Sequence, residues 1–374
     1  MNANRISLLR LASFGILLYM IIYGLMAAKI VLVPLTFGAL FAFMLKPLCS
    51  RYERKVKWRT LAITLAMATA AVPLSGVVYF FSKQCVRVIA DMPSIQEKLD
   101  KGICMVYSCA RNTLGYTEDE TDAFLSEKIP SMLSSSNFFG DSFSVSAAVV
   151  TGIVLTFIYM FLFLLYRSAF KNFLLMQQPP SKREHTQGLL ERIQKVILGY
   201  LQGLLMVIAI LGILNSVGLC VIGIKHPFFW GFLASMLAVI PYVGTFLGGF
   251  IPFLYALATS DEAWQPVAVV ILFVVVQALE GHFITPKVVG SSVSINPLAA
   301  LIALLIGAEI WGIPGMILSL PCLAIFNEFL KQSDAWRPVS LLISDEIGQA
   351  EQLSFKQWDK ERFRLSNFFK NPRR

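Results

Sequence analysis

The chain has 374 residues, of which 56% are hydrophobic and 15% charged, with a mean hydropathy of +0.66 and a formal net charge of +9. Ordinary soluble domains carry about 25% charged residues, so the composition excludes a water-soluble globular domain and points to an all-α polytopic membrane protein in contact with the lipid bilayer. The basic surplus lies beside apolar runs, where it fixes topology, so nucleic acid is not an expected partner.

Crossing the roughly 30 Å hydrocarbon core takes about 20 apolar residues. On that measure spans are predicted at 9–28, 30–48, 60–81, 146–166, 198–223, 227–258, 264–283 and 297–330, about eight transmembrane segments in all. The first follows a short basic start without a convincing small-residue cleavage site, and reads as an uncleaved helix. Three N-terminal helices therefore occupy 1–81. Arg51, Arg54, Lys55, Lys57 and Arg59 follow span two, Arg167 and Lys171 follow span four, and residues 356–374 hold seven basic and two acidic residues. The positive-inside rule puts these segments and both termini in the cytoplasm.

Residues 82–145, with nine acidic and six basic residues, have the opposite bias and are expected outside as a small helical loop. Ser94 with Glu97, and Thr117 with Glu120, have capping-box spacing and predict two helix starts there. Cys104 and Cys109 lie in this loop as expected free thiols. The fourth span and a cytoplasmic helix make up 146–197. A capping box at Ser181 and Glu184 opens that helix, whose apolar face carries Leu189, Ile193, Val196 and Ile197. Two readings stand: the helix lies on the membrane surface, or it packs on protein. The tail at 331–374 is basic and interleaved with Trp358, Phe363, Phe368 and Phe369, which suits anionic lipid; a disordered tail is the competing reading.

Residues 198–330 are expected to form a transport core. At 227–258 the apolar run is interrupted by Ile240-Pro241-Tyr242-Val243-Gly244, and at 297–330 by Gly312-Ile313-Pro314-Gly315. As single helices these segments would be about 48 and 51 Å long, too long for one upright span. Each follows one uninterrupted span, which suggests an inverted repeat of span plus broken segment, the plan of many secondary transporters. Irregular backbone at membrane depth must be buried in protein or line a wet cavity. A proline kink in a long tilted helix is the competing reading.

Ionisable groups inside the membrane are functional candidates. Glu280 and Gln277 stand three residues apart on one helix face, and a carboxylate in a low-dielectric site is suited to exchanging a proton for a cation near neutral pH. Pairing of Glu280 with Lys287 is the structural alternative. Glu309, with Trp311 beside it, is a candidate second proton carrier or a partner for Lys287. Tyr242 either hydrogen-bonds substrate at the first break or serves as an interface or helix contact, and Asn215 and Gln202 either line a pathway or join helices. No P-loop, HExxH, GxSxG or GxGxxG occurs, so neither an enzyme nor a cofactor is expected. The three histidines are scattered, so no metal site is expected.

The run "PFFWGFLASMLAVIPYVGTFLGGFIP", followed by "VVQALEGHFITPKVVGSSVSINPLAALIALLIGAEIWGIPGMILSLP", resembles the autoinducer-2 exporter family of bacterial permeases. The match in order includes Pro241, Tyr242 and Gly244, then Glu280, Pro286, Lys287 and Gly290, then Pro297, and then Gly312 and Gly315 with Pro314 between them. Glu309 departs from the family pattern. The resemblance covers about Tyr200 to Phe329 and implies about eight spans, a bacterial inner-membrane location, cytoplasmic termini and homo-oligomers. It implies export of a small polar solute such as autoinducer-2, or exchange of sodium for protons (Na+/H+). A non-transporting scaffold for envelope partners is the alternative from a different class.

Overall fold

The computed structural model describes residues 8–114, 137–240, 243–260, 262, 264–288, 295–332 and 336–345, without the side chains of 8–11, 14, 89–114, 137–148 and 286. Among them every regular element is helical: α1 Leu8–Ala27, α2 Lys29–Glu53, α3 Arg59–Leu114, α4 Asn137–Met176, α5 Pro180–Ile222, α6 Pro227–Leu237, α7 Val243–Thr259 and α8 Trp264–Leu279. A π-helical turn at Glu280–Ile284 then leads to α9 Thr285–Val288, α10 Pro297–Trp311, α11 Ile313–Leu330 and α12 Arg337–Ile343. Six helices among the described residues are long and apolar enough to cross a membrane: Lys29–Glu53, Arg59–Val88, Val149–Met176, Pro180–Ile222, Trp264–Ile284 and Ile313–Leu330. Their exposed sides are apolar. On α8, for example, Val267, Ile271, Val274 and Val275 all face outward, a pattern that lipid satisfies and water does not.

The two Pro/Gly-broken segments are helical hairpins, not kinked helices. In a continuous helix Gly307 and Ser319 would stand about 18 Å apart, yet a Cβ placed on Gly307 would lie 3.1 Å from the Ser319 Cβ. Likewise Ala234 and Gly248 would stand about 21 Å apart in one helix, and a Cβ on Gly248 would lie 3.1 Å from the Ala234 Cα. Thus α10 folds back on α11, and α6 on α7. The second turn is made by Gly312 alone, at φ +66°, a conformation that favours glycine. Its N–H bonds the Ala308 carbonyl at 2.8 Å, and its own carbonyl accepts from the Met316 N–H at 3.0 Å.

The chain divides into two compact units. The first comprises Met1–Ala70, Leu155–Val207 and His282–Arg374; the second comprises Ala71–Val154 and Ile208–Gly281. Residues 198–330 divide between them.

Two buried clusters hold the first unit. In one, Cys49, Ile63, Ala66, Met160 and Leu164 join α2, α4 and the start of α3. Gly38 permits this approach, since a Cβ there would lie 2.8 Å from the Tyr159 Cβ; small residues serve the same end at many membrane helix contacts. At one edge Arg167 pairs with Glu53, and Arg59 donates to the Leu164 carbonyl at 3.2 Å. In the other cluster Leu189, Ile193 and Ile197 of α5 pack with Leu40 of α2 and Leu318 of α11. The apolar face of 181–197 is therefore covered by protein, which removes the surface-lying reading.

Two helix starts differ from expectation. Ser94 lies inside α3, which continues unbroken to Leu114, and α5 opens at Pro180, so Ser181 is already in its first turn. Proline is well suited to a first helical position, and continuous helix outweighs the local cap in both cases. The Thr117–Glu120 box, the side chains of Cys104 and Cys109, and the aromatic tail lie outside the described residues.

Asn296 caps α10, accepting from the Ala299 N–H at 2.8 Å. Its amide also donates to the Leu342 carbonyl, and its backbone N–H bonds the Ile343 carbonyl at 2.9 Å. One residue thus starts a helix and fastens α12. Loss of such a cap costs about 1 kcal/mol, and Asn296→Ala additionally loses the bond to Leu342. Thermal unfolding in detergent should rank wild type above Asn296→Asp, which keeps the acceptor but not the amide donor, and Asn296→Asp above Asn296→Ala.

Candidate functional site

Within the second unit, the end of α5, the α6–α7 hairpin and α8 enclose a small cavity of about 20 Å³. That volume is enough for about one water-sized occupant. Its polar wall is made by Asn215, Ser235, Thr245, Gln277 and Glu280. Leu211, Ala234, Gly248, Phe273 and Val276 supply apolar wall around them. Asn215 and Ser235 are buried, Thr245 and Glu280 partly buried and Gln277 exposed. Polar groups gathered on apolar helices are costly, and in membrane proteins they mark ion or substrate positions.

Local sequence explains how each reaches the cavity. The α6–α7 hairpin presents Ser235 and Thr245 on its two limbs, and closeness of the limbs depends on Gly248 and Ala234. Gly244 opens α7 so tightly against α6 that a Cβ there would collide with the Leu237 carbonyl. Gln277 stands in the last turn of α8 and Glu280 directly after it, and the Gln277 amide donates to Glu280 Oε2 at 3.0 Å. The α-helix changes to a π-helical turn at Glu280 itself, a local irregularity frequent at functional sites.

The polar groups are not equally satisfied. Ser235, 1% exposed, donates to the Phe232 carbonyl at 2.8 Å. Asn215 is 4% exposed, and its Oδ1 accepts no hydrogen bond from any described protein group. An acceptor this deep is well disposed towards a cation, a proton donor or a water. The first break itself is not a bare set of helix-end groups. The Ala238, Val239 and Ile240 N–H groups bond the carbonyls of Ala234, Met236 and Leu237 at 3.0, 3.3 and 2.8 Å. The site is thus formed mainly by side chains.

Of the residues singled out from sequence, Asn215, Gln277 and Glu280 line the cavity, and Gly244 shapes its hairpin. Pro241, Tyr242 and Gly290, and the side chain of Pro286, lie outside the described residues. The remainder belong to the first unit. Lys287 is exposed on α9, Pro297 is the first residue of α10, and Glu309 is exposed on α10. Gly312 forms the second turn, Pro314 stands in the first turn of α11, and Gly315 is buried where it meets Gly307. Gln202 is exposed on α5. Sequence reasoning passed over Ser235 and Thr245. Their signal was a single hydroxyl in each apolar limb, "PFFWGFLASML" and "VGTFLGGF", within about two turns of the break. Among the described residues no cluster of His, Cys, Asp or Glu has metal-ligand proximity.

A family model described as an AI-2E family transporter matches residues 15–334. Three similar chains each carry the name "putative transport protein". YrrI of Bacillus subtilis is 34% identical over 149 residues, which is 40% of this chain and 42% of YrrI. YueF of the same organism is 27% identical over 192 residues, 50% of this chain and 52% of YueF. YhhT of Escherichia coli K12 is 23% identical over 338 residues, 90% of this chain and 93% of YhhT. The chain thus spans about half the length of the first two and nearly all of the third.

Proposed function

The chain belongs to the AI-2E transporter family, and from that premise we propose that it is a secondary transporter exchanging a monovalent cation for protons at the Asn215–Glu280 cavity. Glu280 is the exchanging carboxylate, and Gln277 orients it. Asn215, Ser235 and Thr245 offer neutral oxygens to a cation that has shed its water. The observation that carries this reading is a water-sized cavity combining one carboxylate with a buried, unpartnered amide oxygen. Hard monovalent cations and protons both suit oxygen ligands of this kind. Broken helices beside a buried site are the arrangement that alternating access uses.

A second reading, export of a small organic solute such as autoinducer-2, is favoured by the family description. It requires the cavity to enlarge during transport, since about 20 Å³ accommodates only a single water-sized species. The basic segments at 51–59 and 167–195 support a bacterial inner-membrane protein with cytoplasmic termini. Assembly as a homo-oligomer belongs to the same proposal.

The test is sodium- or lithium-driven proton movement in inside-out vesicles. Wild type is expected to exchange, and Glu280→Gln to fall to the level of vesicles without the protein, at equal membrane abundance. Wild-type vesicles that move no protons with either ion would overturn the cation reading and leave solute export. Undiminished exchange by Glu280→Gln would remove Glu280 as the carrier.

A further inference from the structure

A second, larger cavity lies wholly within the first unit. It has a volume of about 460 Å³ and is walled by α2, α4 and α5, within the range of about 300–1,000 Å³ typical of small-molecule sites. Most of its wall is apolar, including Phe43, Phe163, Phe170 and Leu174. Three cations, Lys46, Arg167 and Lys171, meet one carboxylate, Glu191, around the same space. Apolar walls with a cationic end match an amphiphile carrying a negative headgroup.

The pairing of the three cations sharpens the point. Arg167 is already matched by Glu53. Lys46 lies within the apolar stretch of α2, where an ammonium is costly, yet its hydrogen-bond partner is the neutral Gln194. Lys171 has no ion pair or hydrogen bond among the described residues. Two positive charges therefore face the cavity without a carboxylate of their own, apart from the shared Glu191. Both lie in the C-terminal parts of their helices, Lys46 in α2 ahead of Glu53 and Lys171 in α4 ahead of Met176, and basic pockets between membrane helices recognise phospholipid headgroups.

We propose that this cavity binds an anionic phospholipid, with its phosphate held by Lys46 and Lys171 and one acyl chain along the Phe43, Phe163 and Phe170 wall. The site is independent of the Asn215–Glu280 cavity and of any transport activity. A lipid there would join α2, α4 and α5, so its binding should be visible in stability as well as occupancy. Orthophosphate shares the headgroup chemistry but gains nothing from the apolar wall, and it is the alternative source of the same anion.

The experiment is native mass spectrometry of the full-length protein released from nanodiscs of phosphatidylcholine with and without phosphatidylglycerol, alongside thermal unfolding. Wild type should retain phosphatidylglycerol in preference to phosphatidylcholine and unfold at higher temperature in its presence. Each of Lys46→Gln and Lys171→Gln should lower that preference about fivefold, since a basic residue near a charged membrane surface is worth about that factor. Ala39→Phe, which fills the apolar wall and leaves every charge in place, should lower retention of both lipids and guards against a lysine variant that fails to fold. Equal retention of the two lipids by wild type would overturn the proposal. So would thermal stabilisation by millimolar inorganic phosphate equal to that by phosphatidylglycerol.

Discussion

Replacing Asn215 with leucine is expected to stabilise the protein in sodium- and lithium-free buffer and to abolish any stabilisation by those ions. The two side chains share one branched heavy-atom skeleton, leucine being the bulkier, so the exchange is mainly one of polarity, with the extra methyl bulk directed into the cavity. A buried acceptor that no protein donor reaches costs about 1–3 kcal/mol, and leucine removes that cost in a wall already formed by Leu211, Phe273 and Val276. Wild type should instead gain from the ion, because a ligand at one hundred times its dissociation constant adds about 2.7 kcal/mol to a native state that alone binds it. The melting curves of the two proteins should therefore approach or cross as sodium or lithium rises. Transport should be lost in the leucine variant at all concentrations. Such a trade of activity for stability is expected where a strained site is functional. A leucine variant less stable than wild type, combined with a wild type insensitive to both ions, would instead mark Asn215 as a contact joining helices.

Gly315→Leu is expected to have the largest effect on folding. Gly307 and Gly315 face each other across the α10–α11 hairpin so closely that a Cβ on either would run into the other's backbone carbonyl. Backbone cannot swing aside as a long side chain can, so the two limbs must separate. Overpacking of this kind costs about 1–3 kcal/mol and more where backbone must move, and the Trp311 bond to the Leu25 carbonyl, 2.9 Å long, would be strained with it. Gly188 provides the contrast. It is a helical glycine at which a Cβ would meet nothing within 4 Å, so Gly188→Ala should be neutral or stabilise by up to about 1 kcal/mol. Yield of monodisperse protein and melting temperature in detergent distinguish the two. A Gly315→Leu protein as stable as Gly188→Ala would mean that the hairpin limbs are not packed as described.

These two cases show which kinds of information were readable in advance. The Pro/Gly interruptions announced two broken segments because proline removes a helical hydrogen bond and glycine lowers helix propensity, both properties of the residue and its neighbours. The choice between kink and hairpin was not local. It rests on Gly248 meeting Ala234 and Gly307 meeting Ser319, pairs that periodicity treats as unrelated. In the same way Glu280 and Gln277 were recognisable, being three residues apart on one helix. Asn215 and Ser235 were not recognisable as their companions, because they lie 65 and 45 residues earlier in the chain. The amphipathic face of 181–197 was read correctly as a face, but whether lipid or protein covers it depended on Leu40 and Leu318, from distant helices.

Sequence by itself determined that this is an all-α membrane protein with long apolar helices and two internal breaks. Those features follow from hydropathy, span length and backbone propensity, which are one-dimensional quantities. Only the tertiary structure decided that the breaks are hairpins and that Asn215, Ser235, Thr245, Gln277 and Glu280 share one small cavity. It likewise decided that Lys46 and Lys171 border another. A polar group inside a membrane takes its meaning from what packs against it, and those neighbours are supplied by segments that the chain brings together only when it folds.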